Sequence, residues 1–174
     1  NHSMFEALFD RRLKPTATFA EELKFAGYDP ATAVPTYPTE VWITCLEVTR
    51  RNLYPTLTPA DAYRRIGHEA TEGFLETLVG KMVLVAIPFM TPATFVRRLA
   101  NYLRLGRNDA GLTFDLVRDE PGAIDAVVHN PAAVPGTYVA GLIDTAMMRF
   151  KVKWTIEVEQ KSATDYTLAI RWLP

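Results

Sequence analysis

Apolar side chains recur at spacings of three and four through the first two-thirds of the chain and at every second position through the last third. The sequence therefore predicts helices first and strands afterwards. Phe19, Leu23 and Ala26 share one side of a short helix from Thr16 to Gly27, with the glycine placed to end it. After a connector over Asp29 to Tyr37, Pro38 opens a second helix to about Leu53. Its stripe of Val41, Trp42, Cys45, Leu46, Val48 and Leu53 is wide and apolar. The best-marked helix starts at Thr58, a capping hydroxyl followed by Pro59 and by Asp61 at the positive end of the helix dipole. Tyr63, Ile66, Ala70, Phe74 and Leu78 then follow on one face. Gly67 and Gly73 interrupt this helix, each at about 1 kcal/mol of propensity relative to alanine, which implies that another backbone comes close.

Gly80 marks a bend or break before the uncharged run Met82 to Met90, predicted as a buried helix with a strand as the alternative. Thr91-Pro92 repeats the cap-plus-proline signal and opens a helix carrying Phe95, Leu99, Tyr102 and Leu103. From Gly111 the period becomes two. Leu112, Phe114 and Leu116 lead to a Pro121-Gly122 turn, and Ile124, Ala126 and Val128 answer them. A helix from about Pro135 to Phe150 precedes two further strands, Val152 to Val158 and Tyr166 to Trp172. Lys153, Thr155, Glu157 and Glu159 alternate with the apolar positions of the third strand, so one side of the sheet should meet water. The predicted class is α+β: an N-terminal helical bundle packed on a four-stranded antiparallel sheet in β-β-α-β-β order.

Composition narrows the function classes. The chain has 174 residues, of which 48% are hydrophobic and 22% charged. That length suits one domain burying roughly 70% of its unfolded surface, and the composition excludes a disordered chain. Asn1-His2-Ser3 before Met4 reads as an expression-tag remnant. We therefore expect a single domain over 4–174, with a helical half at 4–108 and a β-rich half at 109–174. Nineteen basic against twenty acidic residues leave a formal charge of -1, so no general attraction to nucleic acid is expected. No apolar run approaches the roughly 20 residues of a membrane span. A single cysteine forms no internal disulfide, and a cytoplasmic setting is expected.

Three segments resemble a myxobacterial paralogous family of unknown function. They are Val34-Pro-Thr-Tyr-Pro-Thr-Glu-Val-Trp42, the glycine-marked Tyr63 to Gly80, and Asn101-Tyr-Leu-Arg-Leu-Gly-Arg-Asn108. The element order also resembles the superfamily of haem nitric-oxide-binding domains, vinyl-reductase-type domains and vesicle-tethering subunits. That resemblance implies a small molecule held between helices and sheet, and frequent pairing of subunits. A haem domain of this kind needs a proximal histidine and a tyrosine-serine-arginine pattern. Tyr102-Leu-Arg-Leu-Gly-Arg107 lacks the serine and the spacing, so no cofactor is expected.

Other chemistries are thinly represented. His68 and Glu72 lie one helical turn apart and are weak metal candidates, but a zincin would carry histidine at both positions. Arg64, Arg65, Glu69 and Glu72 around His68 read instead as a solvated face with an Arg65–Glu69 pair. Cys45 sits among Ile43, Leu46 and Val48 as a small core residue, and Ser162 has no nucleophile elbow around it. We expect no enzyme and no catalytic residues.

Two ligand-binding candidates remain. Arg97, Asn101, Arg104 and Arg107 form a basic segment suited to an anion or an acidic protein partner. Its competing reading is internal pairing with the acids at 109–125. Phe74, Met82, Phe89, Met90, Phe95, Met147, Met148 and Trp154 are candidates to line an apolar cavity between helices and sheet. The expected function is a small-molecule-binding or regulatory domain taking a small hydrophobic or anionic ligand. The alternative is an interaction module, a homodimer or scaffold subunit with a filled core, acting through the 97–107 helix.

Overall fold

The computed structural model describes residues 2–99, 101 and 111–173. The chain begins with α1 (His2–Phe5), which runs on as a π-helical stretch over Glu6–Leu13. Then follow α2 (Ala17–Phe25), α3 (Thr39–Leu53), α4 (Pro59–Leu75), α5 (Leu78–Ala86) with a 3-10 turn over Ile87–Phe89, and α6 (Pro92–Arg97). The second half comprises β1 (Thr113–Glu120), β2 (Ala123–His129), α7 (Gly136–Met148), β3 (Lys153–Gln160) and β4 (Asp165–Leu173). The predicted α+β class and strand-strand-helix-strand-strand order hold. The sheet is antiparallel in the order β1-β2-β4-β3.

Local chemistry sets the helix ends. The Thr58 hydroxyl accepts from the Asp61 amide at 3.2 Å, and the Thr91 hydroxyl accepts from the Thr94 amide at 3.1 Å. A third cap was not anticipated. Thr77 accepts from the Gly80 amide at 3.1 Å and starts α5, so the break falls at Glu76–Thr77 and not at Gly80. The helix predicted from Thr91 onward is described to Arg97; Tyr102 and Leu103 lie outside the described residues.

Ile124 of β2, Ile170 of β4 and Ile156 of β3 stand in register across the sheet, with Ala126, Leu168 and Val158 in the next row. These side chains form the covered face, on which α7 packs. Lys153, Thr155, Glu157 and Glu159 are exposed, as the alternation predicted. A β-bulge between Leu116 and Arg118 shifts the register of β1, so Asp119 stands opposite Ile124.

The two halves are joined where α4 lies against α7. A methyl group on Gly67 would come within 3.0 Å of the Tyr138 carbonyl oxygen, and one on Gly141 would come as close to that of Arg64. The Gly67 approach was legible in the sequence, and so was that of Gly73, which meets the Ala7 carbonyl. Arg64 extends the seam. Its Nε and Nη2 donate to Asp144 at 2.6 and 3.0 Å, and its Nη1 donates to the Ile156 carbonyl at 3.2 Å. Trp154 Nε1 donates to the same carboxylate at 2.8 Å, so α4, α7 and β3 share one polar junction.

The Met82–Met90 run is not the buried helix predicted from its composition. Met82, Val85 and Phe89 are 60%, 71% and 88% exposed, and Leu78 at the head of α5 is 78% exposed. The helix lies over the bundle as a cover, with Val83 and Ile87 turned inward.

Candidate functional site

Between these elements lies a cavity of about 620 Å³, inside the size range of ordinary ligand sites. It is partly open to solvent, and its lining comes from helices and adjoining loops, with no described strand residue among it, rather than from helices on one side and the sheet on the other. Helices α4 and α7 provide Ala70, Phe74, Leu142 and Ala146, and α5 covers them with Leu78 and Val83. Phe95 and Leu99 border it from α6 onward, and Asn130 and Val134 from the loop before α7. The N-terminal stretch adds Phe5, Glu6 and Arg11, and α3 adds Thr39 and Trp42, joined by Tyr37 ahead of α3. The Gly67–Gly141 contact lets α4 and α7 approach closely enough to form this wall.

The apolar cavity candidates divide. Phe74 and Phe95 line it. Phe89 points outward at 88% exposure, Met147 is fully buried in packed core, and Trp154 is committed to the Asp144 junction. None of those three borders the cavity. Met82, Met90 and Met148 are absent from its wall as well. Sequence reasoning missed the N-terminal contributors Met4, Phe5, Glu6 and Arg11. Phe5, Leu8 and Phe9 at helical spacing were the available signal.

Of the basic segment, Arg97 is engaged internally. Arg97 Nε and Nη2 donate to the two Asp119 oxygens at 2.7 and 2.8 Å, a bidentate pair made possible by the bulge in β1. That pair holds the Asp119 carboxyl below its usual range. Asn101 is exposed, and Arg104 and Arg107 lie outside the described residues.

The residues around His68 are engaged too. His68 is half-buried, with Nδ1 at 2.8 Å from the Thr145 hydroxyl across the α4–α7 seam, and so does not lie on the solvated face expected for it. Glu69 is buried and accepts from Arg12 at 2.6 Å, with Arg65 at 2.9 Å on its other oxygen. Glu72 accepts from Arg149 at 2.8 Å. Among the described residues no group of three histidine, cysteine, aspartate or glutamate side chains is placed to hold a metal ion. Cys45 is fully buried, and desolvation pushes its thiol up to about 12. Ser162 lies in the β3–β4 hairpin, donating to Asp165 at 2.5 Å.

The family described as "Protein of unknown function (DUF2378)" matches residues 1–173. The chain belongs to that family. No curated protein matches the DUF2378 chain. Among solved structures, it resembles an H-NOX protein from S. oneidensis in the Fe(II)NO ligation state. The TM-score is 0.75 at 13% identity, covering 100% of this chain and 99% of that one. The Fe(II) unliganded H-NOX protein from K. algicida matches with a TM-score of 0.72 at 14% identity, over 99% and 95% of the two chains. The I5F mutant of T. tengcongensis H-NOX gives 0.69 at 14%, over 99% and 94%. At these identities the likeness establishes the fold.

Histidine-held haem does not fit this cavity. The chain has three histidines, and none is among the residues that line it. His68 is bonded across the α4–α7 seam, and His129, at the end of β2, pairs with Asp165 at 2.8 Å.

Proposed function

We propose that this DUF2378 chain is a non-enzymatic regulatory domain that holds a small, largely apolar molecule other than haem. The observation that carries the reading is the cavity of about 620 Å³, walled by apolar side chains of α4, α5 and α7. Such a preformed space gains from any apolar surface placed in it, at about 25 cal/mol per Å² removed from water. The H-NOX architecture supports the reading by analogy of fold, and the absent histidine argues against the same cofactor. A cytoplasmic setting accords with a lone, buried Cys45.

Trp42 in the wall is a built-in reporter. An environment-sensitive apolar dye should bind wild type saturably and perturb Trp42 emission. Ala146→Phe, which fills the cavity from α7, should abolish both effects. Equal binding by wild type and by a correctly folded Ala146→Phe would refute the assignment.

A second reading, an interaction module, is favoured by the outward face of α5. Met82, Val85 and Phe89 face outward together as an exposed apolar patch. It stands beside the 97–107 segment as a candidate surface; there Arg97 is paired with Asp119 and Asn101 is exposed. If α5 joins two copies in a homodimer, Val85→Glu should convert a dimer to monomers in sedimentation. A monomeric wild type would refute that reading.

A further inference from the structure

Resting on the cavity assignment, we infer that its ligand is a single-chain amphiphile: an apolar tail along α4, α5 and α7, and an oxyanion head at Arg11 of the N-terminal π-helical stretch. The wall is chemically polarised. Along α4 and the start of α5, the two threonine hydroxyls spend their protons on helix carbonyls, Thr71 on Gly67 and Thr77 on Phe74. Nothing charged borders that stretch among the described residues.

The N-terminal stretch, which packs on α4 at Gly73, and α3 with the residue ahead of it present donors. Arg11 is the one cation among the described lining residues, and Glu6 the one anion. Arg11 Nε and Nη2 both donate to a single Glu6 oxygen, at 3.1 and 2.7 Å. Its Nη1 has no partner among the described residues. The Trp42 indole N–H likewise has no acceptor there, and the Tyr37 hydroxyl accepts from the Val34 amide at 3.4 Å without donating in turn. A guanidinium, an indole N–H and a phenol in an otherwise largely apolar wall suit a group that only accepts hydrogen bonds.

The Arg11–Glu6 pair is partly open to solvent, its side chains 46% and 37% exposed. An ion pair so placed contributes little to stability, and a ligand carboxylate or phosphate can take the Glu6 position on the fork. Glu6 is then a competitor built into the chain. This predicts opposite signs for two neighbouring substitutions, which a merely structural pair does not.

The test is calorimetric titration of the full chain with dodecanoate, dodecyl phosphate and dodecanol. Arg11→Gln should weaken the charged ligand by about tenfold, the worth of a charge-assisted hydrogen bond, and change dodecanol affinity less than about twofold. Glu6→Gln should tighten the charged ligand several-fold. Whichever of dodecanoate and dodecyl phosphate shows the larger dependence on Arg11 identifies the head as carboxylate or phosphate. If all three bind and Arg11→Gln leaves them unchanged, or weakens all alike, the head-group assignment is overturned while the cavity reading stands. If none binds, both fall together.

Discussion

Replacing Gly67 by alanine tests the seam on which the cavity wall depends. In a solvated helix this change stabilises by about 1 kcal/mol. Here the added methyl would come under 3.0 Å from the Tyr138 carbonyl oxygen and press on the Leu142 amide, where ordinary contact begins at 3.4 Å. A backbone carbonyl cannot rotate away as a side-chain tip can, so α4 and α7 must part. Overpacking of this kind costs about 1–3 kcal/mol, and an unyielding backbone neighbour puts Gly67 at or above the top of that range. Set against the propensity gain, a net loss of about 2 kcal/mol remains, or roughly 4–8 °C in Tm for a chain of this size. Differential scanning calorimetry of Gly67→Ala measures it. Ala20→Gly, on the exposed side of α2, calibrates propensity alone at roughly 2–4 °C. A Gly67→Ala protein that melts at or above wild type would refute the close-packed seam.

Three further outcomes follow from side-chain environments. Cys45, buried with its thiol pushed up to about 12, should resist iodoacetamide in the native state and react only at the rate of unfolding; rapid native labelling would place it elsewhere. Asp165 is held down to about 2 by the Ser162 hydroxyl first, then by His129 and Thr164. Its folded value lies below the unfolded one of about 3.9, so its contribution is full above that value and disappears as pH falls through about 2. Asp165→Asn should therefore lower Tm near neutrality with a deficit that closes in acid, and a pH-independent deficit would contradict the assignment. Haemin should give no histidine-ligated Soret band; a stoichiometric band lost in His68→Ala would overturn the exclusion of haem.

The sequence signals that succeeded were local. Thr58-Pro59 and Thr91-Pro92 cap their helices because the hydroxyl and the amide it serves lie within one turn, and the alternation of β2 and β4 encodes their buried face directly. Gly67 and Gly73 announced close contacts because mid-helix glycine is otherwise unfavourable. What failed depended on the third dimension. The composition of Met82–Met90 describes a buried helix, but its place as a cover leaves Met82, Val85 and Phe89 facing outward. Met147 and Phe74 have similar chemistry and differ only in which side of a helix meets the cavity. Arg97 finds Asp119 through a bulge that shifts the strand register, which no spacing rule reveals. Arg11 and Glu6 became candidates only once the N-terminal stretch was seen to join the cavity wall.

The central claim, that the chamber holds a small molecule, is tested most directly by native mass spectrometry of protein purified without detergent, beside its Ala146→Phe variant. The account predicts a wild-type mass above that of the chain, the excess vanishing on denaturation and missing from the variant. Native wild type and variant both at the bare chain mass, with no uptake of added dodecanoate or dodecanol by either, would contradict it.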